Sequence, residues 1–543
     1  MLKVSLLNKI FILELILFGL IITGLLPRET AIFLAIGLAV YVALAPIEDA
    51  TVFFVRSIPF FIAIPIMAEY DNLNTWRILS IILFLKLAHI TGLKYFLRIR
   101  EFSKYSKLLI VLLVFAILSI IPAVDRGEAI KRIIYFVNLG LIGIVVYYLV
   151  QHNSIYLEAQ PLSKDEFVPK LVKNITIPTI IVTVVGFIQV ASTYFIDIYQ
   201  FMRIWGEGIQ MRQFGQLWSD IAVRLGNTWF AYYGDQLSLR VFSLFPDSHS
   251  FPQFVLLGLP AIFAVAFLKI IANSNVATSQ VATLGRMVRA RANMSVLWIP
   301  AVFLIAILSG TRGIWAASVG VIIIIFGVIY WMHRIRAENY YKNIFKYISL
   351  YMTVFFLLFA VAYPIFVSPQ FLLSKGDWGL FGERIKSIID FGETSNNQRI
   401  EIWKASLESI KQHPLLGVGI GNFPVVLKQN IFLARVGSSA HNIYLHIAAE
   451  MGILALVTVI WFLWLVFKKS CDNFVSAPPS HDFGEAGRDP LLVTYFAATI
   501  IFLPWVLIYS LTDVALFDER AFLLFVTTIS FILATKNPDK IRI

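Results

Sequence analysis

Apolar residues run along this chain in long, nearly unbroken stretches rather than with the alternation of a half-buried strand or helix. Runs near the ~20 residues needed to cross a bilayer as a helix fall at about 9–26, 29–46, 50–68, 76–97, 106–123, 131–151, 172–194, 251–270, 294–310, 313–333, 346–367, 443–467, 491–511 and 520–536. The pattern predicts an all-α polytopic membrane protein with about 12–14 transmembrane helices. The closely spaced runs at 29–68 and 491–536 leave room for re-entrant segments. The expected organisation is N-terminal transmembrane helices at 1–194, a first long extracytoplasmic loop at 195–250 and central transmembrane helices at 251–367. A large extracytoplasmic helical loop follows at 368–440, then C-terminal transmembrane helices at 441–543 with a cytoplasmic loop at 468–490.

The two outer segments are too long to be simple connections. In the second, NNQRIEIWKASLESIKQHP reads as an amphipathic helix. Ile400, Trp403, Leu407 and Ile410 form its apolar stripe, Asn396 is its expected cap and Pro414 follows its end. Gly417, Gly419 and Gly421 of the following GVGIGN make a turn. This motif lacks the strand and βαβ context of a nucleotide loop, so an ATP or NAD role is rejected and no cofactor is expected. No internal repeat is visible.

Composition agrees with the membrane reading: 59% of the 543 residues are hydrophobic and only 14% charged, against roughly a quarter charged in soluble domains. The net charge of +12 comes largely from short segments between apolar runs, at 94–107, 269–291 and 334–346. That is the positive-inside signal, not a nucleic-acid surface, and it places both termini in the cytoplasm. The lone Cys471 falls in the expected cytoplasmic loop and excludes an intrachain disulfide framework. No small-residue cleavage pattern follows the first run, which therefore reads as a span rather than a signal peptide.

The most telling stretch is GSSAHNIYLHIAAEMGILAL, 437–456. A polar segment runs directly into an apolar helix, and Asn442, His446 and Glu450 follow at i, i+4 and i+8, on one face. Ionisable groups in such a helix usually face a protein interior or a wet cavity. His441 stands just outside it, where a neutral imidazole can take a proton near pH 7. On the same outer side lie Arg240, Arg312 in the tight turn SGTRG, Arg384, and Arg399 in the first turn of the amphipathic helix. A guanidinium is permanently charged and forked to match phosphate oxygens. Each arginine alone reads more simply as an interfacial or loop cation, and His446 with Glu450 as a buried packing pair. His249, His413, His441 and His446 lack zinc-ligand spacing and there is no DxD motif, so no metal is expected and arginine must neutralise any bound diphosphate. A transporter or flippase using Glu14, Lys86, His89 and the His446/Glu450 pair is the rival class. It requires midplane groups and internal repeats, whereas the polar residues here gather at the outer rim.

SGTRGIW (309–315), NQRIEIWKASLESIKQHPLLGVGIGNF (397–423) and HNIYLHIAAEMGILAL (441–456), in that order, resemble the bacterial O-antigen ligase and polymerase superfamily. RVFSLFPDSHSFPQF (240–254) is similar to the family's Arg-plus-Phe-Pro-Asn segment, with His249 where Asn is usual. The likeness covers about 240–460. His441-Asn442 is followed at the family spacing by Gly452, but Ala455 replaces a second glycine. The resemblance implies a GT-C-like, metal-independent, inverting glycosyltransferase of the bacterial inner membrane, with its site facing the periplasm or cell exterior. The donor would be an undecaprenyl-diphosphate-linked glycan, the acceptor a lipid-linked or glycan hydroxyl, and membrane lipids the surroundings. By resemblance His441 is the general base and Arg312 and Arg399 grip the diphosphate. Asn442, Arg240, Arg384, His446 and Glu450 are then substrate-binding or supporting residues. Trp205, Phe214 and Trp218 are candidate sugar-stacking or interfacial aromatics. Ligase, polymerase and protein O-oligosaccharyltransferase share this chemistry and stay open.

Overall fold

In a computed structural model, the residues described are 5–66, 73–92, 103–152, 167–215, 228–233, 236–275, 296–373, 394–429, 438–475 and 490–535. Helices occupy all fourteen apolar runs. Among the described residues, seven are both long and apolar enough to span a membrane: Arg126–His152, Phe167–Ser192, Ser250–Phe267, Arg312–Arg334, Tyr341–Val367, Ile453–Val475 and Leu491–Tyr509. The chain is an all-α polytopic membrane protein. The other runs give shorter helices. The run at 50–68 is the clearest departure: Ile47–Ser57 has 11 residues, ~16 Å at 1.5 Å per residue, and the chain then breaks at Pro59 into a short 3-10 turn.

Burial sorts the helices into a centre and a rim. The most apolar window of Ser250–Phe267 is 94% buried and that of Leu491–Tyr509 83%, against 28% for Tyr341–Val367 and Ile453–Val475. A helix apolar on every side is one that other helices surround. The two central helices pack on each other, with Phe167–Ser192 and Arg312–Arg334 also against them.

Several of the ionisable residues inside this framework have structural partners. Glu14 is buried and its carboxyl meets the Ser57 hydroxyl at 2.5 Å. Arg56 is bonded to Asn174 and Asn8 and lies over the Phe11 ring. Lys86 donates to the carbonyls of Val42, Ala43 and Ala45 at the end of helix Thr30–Leu44, and His89 is exposed. Lys86 therefore terminates a helix instead of lining a path. Cys471 is also placed differently from expectation: helix Ile453–Val475 continues through it and buries it.

At one end of the bundle the connections are structured. Between 195 and 250 lie a π-helical turn, Met202–Gln210, and an antiparallel hairpin pairing Phe230–Tyr233 with Gln236–Leu239. Trp205 is buried there, bonded to Ser192 and stacked on Phe201, while Phe214 lies under the Arg520 guanidinium. Both are packing residues; Trp218 lies outside the described residues. The amphipathic helix is present as Thr394–Gln412. It starts before Asn396, which is thus inside the helix rather than its cap. Its buried side carries Ser406, Ser409 and Ile410, leaving Leu407 50% exposed.

The glycine-rich loop after it has a specific seat. Helix Ile443–Met451 stops at Gly452 (φ 86°), and Ile453–Val475 starts at once. The interruption frees carbonyls of Ala449 and Glu450, which accept from the amides of Val418 (2.9 Å) and Gly419 (3.0 Å); Ile453 donates to Pro414 (2.8 Å). Gly417 (φ 62°) and Gly452 sit against opposing backbone, where a Cβ would overlap Glu450 or Leu415. Ala455, which departs from the family glycine, is fully buried against Ala116, Ala123 and Ile420, so that position serves helix packing.

Candidate active site

The turn after the central helix Pro490–Tyr509 is the hub on which four distant segments meet. The Ile443 amide donates to the Ser510 carbonyl (2.9 Å) and the Tyr444 hydroxyl to Leu507 (2.9 Å), fixing the start of the 443–451 helix to the turn. Thr311 donates through its hydroxyl to the Ser248 carbonyl (2.6 Å), joining the Arg312 turn to the residue before His249. Gly313 lies against Tyr509 and Thr512, with no room for a Cβ. Trp403 donates its indole N–H to the Ala440 carbonyl (2.9 Å), seating the helix that carries Arg399 beside His441.

Asp513 lies at the centre of this arrangement. Its Oδ2 is 3.0 Å from His249 Nδ1 and 4.0 Å from His441 Nδ1. His249 Nε2 is 3.1 Å from the Arg240 guanidinium. Because arginine has only N–H groups to offer, that nitrogen must accept, which leaves the His249 proton on Nδ1, directed at Asp513. The Tyr509 hydroxyl is 3.0 Å from the same Nδ1. Burial opposes ionisation of Asp513, but its interactions with the His249 imidazole at 3.0 Å and, at longer range, with His441 outweigh it and hold the carboxyl well below its usual range.

His441 is a non-glycine residue at φ 45°, a left-handed conformation that costs about 1–2 kcal/mol and persists where the surroundings enforce it. Its Nδ1 is buried without a hydrogen-bond partner among the described residues, while the side chain remains 37% exposed. One edge of the imidazole faces Asp513 and part of the ring stays open. Arg312 opens helix Arg312–Arg334 and, like Arg399, is half-buried. The charges of Arg240 and Arg399 both reach the Tyr509 hydroxyl.

Three sequence candidates hold structure. Asn442 is the cap of Ile443–Met451, accepting from the amides of Tyr444 (2.9 Å) and Leu445 (3.0 Å). His446 and Glu450 face each other at 3.4 Å, and Glu450 also accepts from the Phe423 amide (3.2 Å). Arg384 lies outside the described residues. Asp513 and Tyr509 escaped the sequence reading, and His249 entered it only as a rejected zinc ligand and a departure from a motif. The available signal was the connection TDVALFDER, which sets Asp513, Asp518, Glu519 and Arg520 close together between apolar runs. Among the described residues no group of three His, Cys, Asp or Glu side chains is arranged to hold a metal ion.

Fold and site together define a multi-pass membrane protein with a histidine, a buried carboxylate and several arginines gathered at one end of its bundle. Residues 296–460 match the O-antigen ligase (Wzy_C) family model, which supports the O-antigen ligase and polymerase superfamily. Comparison with curated proteins gives no match. The matched stretch includes Arg312, Arg399 and His441, whereas Arg240, His249 and Asp513 come from outside it.

Proposed function

We propose that this protein transfers a glycan from an undecaprenyl-diphosphate donor to an acceptor hydroxyl at the outer face of a bacterial cytoplasmic membrane, with inversion and without a metal. The observation that carries this reading is the position of His441 beside Asp513, on the turn around which Arg240, Arg312 and Arg399 also gather. His441 removes the acceptor hydroxyl proton as that oxygen bonds to the donor's anomeric carbon. The bond from that carbon to the diphosphate breaks, and its electron pair leaves on the diphosphate oxygen. Arg312 and Arg399 stabilise the growing charge, as preorganised cations in a partly desolvated site do. Asp513, bonded to His249, stabilises the imidazolium that forms on His441. In this orientation both termini are cytoplasmic.

Purified protein supplied with an undecaprenyl-diphosphate glycan and candidate acceptors tests the reading. A general base contributes about 10²–10⁴-fold, so His441→Ala should lower transfer by at least that lower bound. Unchanged transfer by a correctly inserted His441→Ala protein would remove the proposed base. A single addition to a lipid acceptor identifies a ligase, a ladder of lengthening glycans a polymerase, and addition to Ser or Thr a protein glycosyltransferase.

A further inference from the structure

Two side chains that the proposed chemistry leaves unused close on the residue preceding the base. The Trp403 indole donates to the Ala440 carbonyl at 2.9 Å, and the Ala440 amide donates to His446 Nδ1 at 3.5 Å. Both backbone groups of Ala440 are therefore engaged, one by the 394–412 helix and one by the 443–451 helix. An accepting Nδ1 places the His446 proton on Nε2, toward Glu450 Oε1 at 3.4 Å. The Phe423 ring stacks on the imidazole with centroids 4.8 Å apart, and its amide donates to the same Glu450 oxygen. The ring cannot turn without giving up this stack and both polar contacts. Immediately after Ala440 comes the left-handed His441.

We infer that neutral His446, backed by Glu450, is a positioning residue: together with Trp403 it clamps the Ala440 backbone and so keeps the His441 imidazole beside Asp513. The inference rests on His441 being the base. It assigns His446 to the base rather than to donor binding. Loss of the clamp should therefore appear in the rate of the chemical step and leave donor affinity nearly intact.

The test compares His446→Leu, His446→Asn and Trp403→Phe in the full-length protein, using undecaprenyl-diphosphate glycan varied up to saturation and a thermal melt of each variant. The asparagine carbonyl can accept near the position of Nδ1, whereas leucine cannot. His446→Leu should lower kcat about 10-fold or more with donor KM within about 2-fold, a pattern of lost transition-state interaction. His446→Asn should recover most of that rate. Trp403→Phe, which removes only the N–H from the other side of the clamp, should give a smaller loss of the same kind. Wild-type kcat in His446→Leu overturns the inference, as does an equal loss in the leucine and asparagine variants. If His446→Leu does not fold, Trp403→Phe decides, and an unchanged kcat there overturns it. His441→Ala separates the two layers: full activity in that variant rejects the base itself, whereas an inactive His441→Ala with an unaffected His446→Leu rejects only the positioning role.

Discussion

Nδ1 of His249 and Oδ2 of Asp513 meet at 3.0 Å although one residue precedes the central helix pair and the other follows it. The contact joins Ser250–Asn275 to Pro490–Tyr509 at the end where His441 sits. Asp513→Asn keeps the size of the side chain but cannot balance an imidazolium on His441. Glycan transfer should fall about 10- to 100-fold, equivalent to ~1.4–2.8 kcal/mol of barrier. Full activity of the asparagine variant would show that the carboxylate's charge is not used.

Asn442 separates a cap from a substrate contact. Its side chain accepts two amides at the start of Ile443–Met451, and replacing an N-cap by alanine costs about 0.5–2 kcal/mol. Asn442→Ala should lower the thermal midpoint, and Asn442→Ser, which also caps, should restore it together with activity. Restored stability without restored activity would instead assign Asn442 a direct role on substrate.

Two carboxyls at the same end respond oppositely to pH. Burial pushes the Asp518 carboxyl up to about 7, so the folded state holds a proton that the unfolded chain releases near pH ~3.9. Its contribution therefore weakens stability progressively as pH rises from ~4 toward 7. Asp513, held well below its usual range, stabilises above ~3.9 and loses that contribution as pH falls lower. Melting curves between pH 5 and 8 should show Asp518→Asn with a flatter decline than wild type, its amide still able to cap Glu519–Ala534. An identical slope in both proteins would exclude Asp518 as its source.

Gly452→Ala places a Cβ at φ 86° and against the Leu415 carbonyl. Conformational strain of ~1–3 kcal/mol adds to the overlap, so the midpoint should drop by several degrees. Ala455→Gly, at a packing position between helices, should change stability without altering acceptor preference. A shift from one acceptor to another in that variant would show that the glycine replaced by Ala455 bears on acceptor choice.

Apolar run length located the seven membrane-length helices found among the described residues, because burial in lipid or in a helix bundle demands the same composition. The same equivalence hides which helices are central: 250–275 and 491–509 look no different in sequence from the lipid-facing runs, and only packing separates them. His441, Arg312 and Arg399 were visible because charged or protonatable groups beside apolar helices are rare. Asp513 was not, since a single aspartate in a turn between apolar runs has an ordinary alternative as a solvated loop residue. Its significance arises from Ser248, Thr311 and Ile443 being drawn onto one turn, a long-range relationship that no local spacing encodes. The role of Gly417 and Gly419 was equally illegible, because it depends on carbonyls released by a break in another helix.

That break has a mechanical consequence. Ile453–Val475 is 23 residues long, ~34 Å at 1.5 Å per residue, slightly more than the ~30 Å hydrocarbon layer and so long enough to span it with some tilt. The short helix beyond Gly452 takes its reference from the Ser510 turn and the 413–423 loop instead. A thinner or thicker membrane can thus reorient the spanning segment while the histidine rim keeps its alignment with the bundle's interior.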